Sequence, residues 1–266
     1  MFTEAKKILK LFSRYFRLNL ASQMEYRTSF FVQIFGMVLN NASFIFFWYL
    51  AFEATGSQIA GYTFKDVMFL WAVASSAFGI SHILFYNVHR ISQIIITGEL
   101  DTYLLQPVAV LPNVLGASTQ VSAWGDLLYG IVLLAVVWGF TPSVWGIFFL
   151  AIVLGGLLLT AVNISAHTLT FYIGNASMIT GAIFEFMLTF SIYPEGIFQG
   201  FIRLVIFSIL PAAFITHIPL RLVKNFSIST LAILIGFVSI FLFLSISFFN
   251  RGLKKYESGN LIVTRL

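Results

Sequence analysis

Acid–base and metal chemistry in this sequence would have to come from ten carboxylates and four histidines, and their spacing supports neither. His167 and His217 stand alone, without the short separations of zinc ligands, and read as structural. Ser165 lies two positions from His167, on another helical face, so the two do not form a nucleophile–base pair. No His-Glu-x-x-His pattern and no paired aspartates occur in any apolar run. The absence of cysteine removes disulfides, zinc thiolates and thiol nucleophiles. A Gly-x-x-x-x-Gly-Lys-Ser/Thr phosphate loop is also missing, and there is not even a Gly-Lys dipeptide. The expectation is a chain with no catalytic residue, metal or cofactor of its own.

Two acids remain informative because each sits in an apolar run. A carboxylate in hydrocarbon is costly, so Asp126 and Glu185 should face protein or water. Glu185 has Gly181 and Thr189 four residues to either side, a small and polar stripe along one helix. The stripe suits a pathway lining or a subunit interface, with a hydrogen bond inside the chain as the alternative. Asp126 follows Gly125 near the start of its run and reads as structural. Gln33, Gly36, Asn40 and Ser43 share a helical spacing, with Asn41 beside them, and Ser75, Gly79 and His82 repeat the pattern. These residues serve as helix-packing glue or as a pathway lining. Gly196 and Gly200 form a GxxxG pair of the kind that arises by chance in a chain with 19 glycines.

The elements that position these residues follow from composition. Hydrophobic residues make up 59% of the chain and charged residues 9%, far below the roughly 25% charged typical of soluble domains. Apolar runs long enough to cross a hydrocarbon core of ~30 Å recur throughout. The expected fold is all-α and polytopic, a single membrane domain over 1–266. Six spans are expected at 28–52, 66–88, 115–140, 144–172, 177–193 and 227–249. Over 1–27, Ala5, Ile8, Leu9, Phe12, Tyr15 and Phe16 recur at helical spacing opposite Lys6, Lys7, Lys10, Arg14 and Arg17, which predicts an amphipathic helix at the membrane surface. This N-terminal segment lacks the pattern of a cleavable signal peptide.

The segment 194–226 is apolar in its middle but broken by Pro194, Pro211 and Pro219, and it carries Arg203, Arg221 and Lys224. It is expected to be an external re-entrant pair of short helices and not a span. Basic clusters before the first span and after the last, including Arg27, Arg251, Lys254, Lys255 and Arg265, place both termini in the cytoplasm. The formal charge of +5 then points to anionic lipid headgroups and not to nucleic acid.

With that topology 89–113 is a cytoplasmic loop. It contains Gly98-Glu99-Leu100-Asp101-Thr102-Tyr103-Leu104-Leu105-Gln106-Pro107, where Gly98 permits a break, the acids suit a first helical turn and Pro107 ends it. As bare physics this is a short surface helix or an ordinary polar connector.

The pattern Gly98-Glu99-Leu100-Asp101-x-x-Leu104-Leu105-x-Pro107 resembles the coupling segment of ABC-type exporter permeases related to the daunorubicin and viologen export permeases. Tyr193-Pro194, Pro211 and Pro219 are similar in arrangement to that family's short external helices before the last span. The resemblance covers nearly the whole chain. It implies that the loop residues, Tyr103 among them, contact a separate cytosolic ATPase that binds ATP and Mg. It also implies a second permease, identical or homologous, enclosing a pathway for a hydrophobic or amphipathic substrate. The expected location is the cytoplasmic membrane of a bacterium. A membrane scaffold or sensor subunit remains the alternative, with an intramembrane enzyme behind it.

Overall fold

The computed structural model describes residues 2–257, so the expected contribution of Arg265 lies outside the described residues. Within them the chain is almost wholly helical. The elements are α1 (Phe2–Met24), α2 (Arg27–Thr55), α3 (Phe64–Phe85), α4 (Ile91–Ile96), α5 (Leu100–Leu104), α6 (Val110–Gly116), α7 (Ala123–Trp138), α8 (Pro142–Thr168), α9 (Thr170–Ile173), α10 (Ser177–Ile192), α11 (Phe201–Phe207), α12 (His217–Lys224) and α13 (Ile228–Leu253).

Four helical stretches are long and apolar enough to cross a membrane: Arg27–Thr55, Phe64–Ile96, Pro142–Ile173 and Ile228–Leu253. The second continues from α3 through a 3-10 turn, Tyr86–Arg90, into α4. A fifth span exists if Phe201–Phe207 and Ala212–Lys224, bent by 55° at their break, count as one. α7 and α10 are apolar but have 16 residues each. At ~1.5 Å per residue they are shorter than the hydrocarbon core, so they would need flanking residues to complete a crossing.

The expected helix over 115–140 is thus shorter at its start, because 117–122 leaves the helical path. The cause is polar: the Gln120 backbone N–H donates to the His82 carbonyl at 3.2 Å and Thr119 Oγ1 to the Ile83 carbonyl at 2.8 Å. Ser118 Oγ donates to Asn87 Oδ1 at 3.1 Å, and Gln23 of α1 donates to the Thr119 carbonyl at 3.1 Å. Non-helical backbone is tolerated in a membrane protein where such partners replace the helical ones.

α3 and α8 form the buried centre, while α2 and α13 lie at the periphery with most of their residues outward. α3 meets α7 at very short range. A Cβ added to Gly130 would overlap Ser76 Oγ and the Ala72 carbonyl, and one added to Gly79 would come within 2.8 Å of the Ala123 carbonyl. Without side chains at those points the two backbones can touch, which is how helices associate where no hydrophobic effect drives them.

Three apolar clusters fill the bundle. One holds Phe69, Leu70, Leu134 and Phe148, with Tyr62 and Val223 at its rim. A second joins Leu158, Met187, Ile215 and Val238. The third gathers Val88, Ile94, Leu100, Tyr103, Val114 and Phe249, with Phe12 of α1 and Tyr256 beyond α13 packed on it. The N-terminal helix, the loop around Leu100 and the end of α13 therefore share one end of the bundle.

α1 does not lie free. Its Tyr15 hydroxyl donates to Asn113 Oδ1 at 2.5 Å and Asn19 Nδ2 to the Gly116 carbonyl at 3.1 Å, while Phe12 meets Phe85 edge-on. Phe12, Tyr15 and Phe16, expected on the lipid-facing side, are half-covered by protein, and Lys6, Lys10, Arg14 and Arg17 remain exposed.

At the opposite end, Pro194 and Pro211 each precede a 3-10 turn, and Pro219 sits in the first turn of α12, where its missing N–H costs no helical hydrogen bond. Tyr193 packs its ring against Trp48 of α2. Two of the three cations expected there are matched by acids. Arg221 donates to both Glu195 oxygens at 2.8 Å, and Lys224 reaches Asp66 at 2.7 Å. Asp66 also caps α3, accepting from the Thr63 backbone N–H at 2.8 Å.

Candidate functional site

A cavity of about 300 Å³ opens between α2, α3, α7 and α10. Asp126 enters it from the first turn of α7. Its neighbour Gly125 lets α7 approach α2, since a Cβ there would stand 2.5 Å from the Ile34 carbonyl. That approach brings Asn41 of α2 within reach: its Nδ2 donates to Asp126 Oδ1 at 2.7 Å. Asp126 is 5% exposed, and its second oxygen, Oδ2, is buried with no hydrogen-bond partner.

Glu185 reaches the same cavity from α10. It is exposed and has no hydrogen bond or ion pair among the described residues. Thr189 and Ser75 also line the cavity. The apolar wall is aromatic: Phe44 of α2 stacks on Trp71 of α3 with ring centroids 4.5 Å apart, and Phe78 lies two turns further along α3. No Lys or Arg lines this space.

The other residues singled out in the sequence go elsewhere. Gln33 and Asn40 lie on the outward face of α2, where Gln33 bonds only to Ser29 on its own helix. Gly181, expected on one stripe with Glu185 and Thr189, lines a different cavity with His89 and His167. His82 is buried, stacked on Phe78 at 3.7 Å and bonded through Nδ1 to the Phe78 carbonyl. His167 Nδ1 bonds to Ser92 Oγ at 2.7 Å. His82, His89 and His167 approach one another, yet no group of three potential ligands among the described residues could hold a metal ion. Asn41 and the unpartnered oxygen of Asp126 were not marked as site features by sequence; the sequence offered only that an acid and an amide both lay in apolar runs.

The segment 98–107 forms a second distinct surface. Gly98 turns the chain with φ +76°, a conformation that suits glycine, and α5 follows at once. Leu100 (1% exposed) and Tyr103 (9%) point into the third cluster and do not share an outer face with Leu104. Leu104 (45%) and Leu105 (87%) point out, and Pro107 closes the segment. Arg90 pairs with Glu99 at 3.2 Å. The Tyr256 hydroxyl lies 3.9 Å from where a Cβ on Gly98 would be. Burial and the nearby Asp101 carboxylate push that hydroxyl up to about 12.

A family model described as "ABC-2 family transporter protein" matches residues 38–259, which takes in the cavity, the segment 98–107 and the bent pair α11–α12. The chain belongs to the ABC-2 transporter family. An ABC-2 chain is the membrane component of a transporter, is not itself the catalyst and works with ABC ATPase partners. The match is to the family as a whole and does not single out the daunorubicin and viologen exporters. No curated protein matches the sequence.

Proposed function

We propose that this chain is the permease subunit of an ATP-driven exporter, crossing a bacterial cytoplasmic membrane six times with both termini in the cytoplasm. The observation that carries the reading is the surface at 98–107. Two adjacent exposed leucines, with Glu99 and Asp101 beside them, stand at the end of the bundle shared by α1 and the end of α13. Exposed apolar anchors rimmed by charge are what a partner subunit needs for docking. ATP and Mg belong to that partner, which docks on Gly98–Pro107 and transmits its motion through α5.

A second permease, the same chain or a homologue, packs against the outward faces of α2 and α10, where Gln33, Asn40 and Glu185 are exposed. The substrate passes along the cavity behind them. It is hydrophobic or amphipathic, as the aromatic wall suggests. The exposed cations of α1 lie against anionic headgroups. The bent pair α11–α12 enters and leaves on the outer side, where pairing of Arg221 and Lys224 with acids lowers the penalty of placing cations there. ATP-driven closure can move substrate only if the two permease conformations bind it unequally.

Co-purification of an ATPase with the tagged chain from membranes, followed by ATP-dependent efflux from proteoliposomes of the complex, tests this reading. Capture of an ATPase without ATP-dependent efflux of any hydrophobic or amphipathic compound would assign the chain to a scaffold or sensor role instead.

A further inference from the structure

We infer that the cleft between α8, α10, α11 and α13 binds one anionic phospholipid, with an acyl chain lying beside the turn at 208–211 and the phosphate held by Arg251 and Lys255. The inference goes beyond the permease reading and requires only that the bundle lies in a bilayer. The cleft has a volume of about 380 Å³ and no charged residue on its wall. Its length follows from its borders. Val162 and Leu169 at the cytoplasmic half of the third long span, and Phe241 and Phe248 on α13, are each two helical turns apart, so the wall runs ~10 Å along the bundle. Ser165 is the one polar side chain lining it among the described residues. Its hydroxyl donates to Ser245 Oγ at 2.8 Å, which in turn donates to the Phe241 carbonyl at 2.8 Å. A cleft with no polar group to spare does not hold water and takes an apolar occupant. Ile209 lines it from the turn after α11 and is 67% exposed, an apolar side chain that such an occupant would cover.

Charge marks the headgroup end. Phe248 stacks on Tyr172 with ring centroids 5.6 Å apart and planes at 12°, and Lys255 Nζ lies 4.5 Å from the Tyr172 centroid. Arg251 stands three positions after Phe248 and four before Lys255, a spacing that carries one face of α13 from the cleft to its basic end. Both cations are exposed, and neither has an ion pair among the described residues. Glu257, the nearest acid in sequence, pairs with neither. Tyrosine and lysine at one level mark the boundary between headgroups and hydrocarbon, so a phosphate at Lys255 sits at that boundary with its chain directed into the cleft. Charge then decides the occupant. A sterol or a zwitterionic lipid would fill the cleft but offer little to two unmatched cations, and a free anion would meet the cations but leave the cleft empty. An anionic phospholipid uses both parts.

The test is equilibrium binding of radiolabelled dioleoylphosphatidylglycerol and dioleoylphosphatidylcholine, which share acyl chains and differ in headgroup charge, to the purified full chain in an uncharged detergent. Saturable binding of the phosphatidylglycerol is expected, about tenfold tighter than that of the phosphatidylcholine. Glycerol 3-phosphate, which has the charge without the chains, should not compete. Arg251→Gln/Lys255→Gln should lower phosphatidylglycerol binding to the phosphatidylcholine level, whereas Lys6→Gln/Lys10→Gln, which removes cations of α1 at the same end of the bundle, should leave it unchanged. Ile209→Gln should weaken both lipids several-fold by placing an amide where the chain lies. All three variants alter exposed side chains, so each should fold, and size-exclusion chromatography checks that. Equal affinity for the two lipids, competition by glycerol 3-phosphate, loss of binding in the α1 variant, or undiminished binding in either of the other variants would each overturn the inference. No ATPase enters this measurement, so the permease reading stands or falls separately.

Discussion

Asn41 and Asp126 tie α2 to α7 through a single 2.7 Å hydrogen bond between side chains 85 positions apart. Its removal has an asymmetric effect. Asn41→Ala strips the one partner Asp126 has and should lower stability by about 1–2 kcal/mol, between the mean for interhelical bonds in membranes and the penalty of a bare buried acceptor. The double variant Asn41→Ala/Asp126→Ala should lose less than the sum of the single ones. Thermal unfolding of the four proteins in detergent measures the coupling, and strict additivity would show that the bond contributes nothing.

Gly130→Ala should be severely destabilising and Gly146→Ala neutral. The added methyl meets Ser76 and the Ala72 carbonyl in the first case and open space in the second. Because the obstacle is partly backbone, the cost should reach or exceed the ~1–3 kcal/mol of ordinary overpacking. Folded yield by size-exclusion chromatography reports the difference, with Gly146→Ala controlling for helix propensity.

In the segment 98–107 the two kinds of leucine should separate. Leu104→Asp with Leu105→Asp should abolish ATPase capture while leaving insertion and folded yield intact. Leu100→Asp should lose the fold itself, since it buries a charge in the third cluster. Pull-down yield divided by membrane abundance distinguishes them. Normal capture by the Leu104/Leu105 double variant would remove the docking assignment.

Topology can be read chemically because the chain has no natural cysteine. Ser13→Cys, Thr97→Cys and Lys255→Cys should resist an impermeant thiol reagent in intact cells, and Ser57→Cys, in the α2–α3 connection at the other end, should react. Reaction at Thr97→Cys from outside would invert the orientation and move the docking surface to the wrong side of the membrane.

How much of this was legible in the sequence depends on range. Helical class and the approximate limits of α2, α3, α8, α10 and α13 follow from local apolar runs, which sequence displays directly. The break at 117–122 does not, because it is held by His82, Ile83, Asn87 and Gln23, all distant in sequence. Leu100, Tyr103 and Leu104 are three and four positions apart, a helical spacing, but α5 is only five residues long and the cluster it packs on decides which of them face inward. The polar stripe of α10 was visible as a stripe. Its division between two cavities, with Gly181 in one and Glu185 and Thr189 in the other, depends on which helices stand opposite. Sequence likewise showed Arg221 and Lys224 in the segment expected outside without revealing Glu195 and Asp66, because ion pairs across 26 and 158 positions leave no local mark.

The glycine contacts also decide which part of the cavity can give. Gly125 locks α7 against α2, and Gly79 and Gly130 lock it against α3, backbone on backbone, so three walls behave as one rigid block. α10 has no such weld. It hangs between Gly174, at φ +77°, and the extended Tyr193 before Pro194, and only Thr180, Met187 and Ser191 along it are buried. A chamber with three fixed sides and one hung panel has a single soft dimension, and here that dimension is the gap between Asp126 and Glu185.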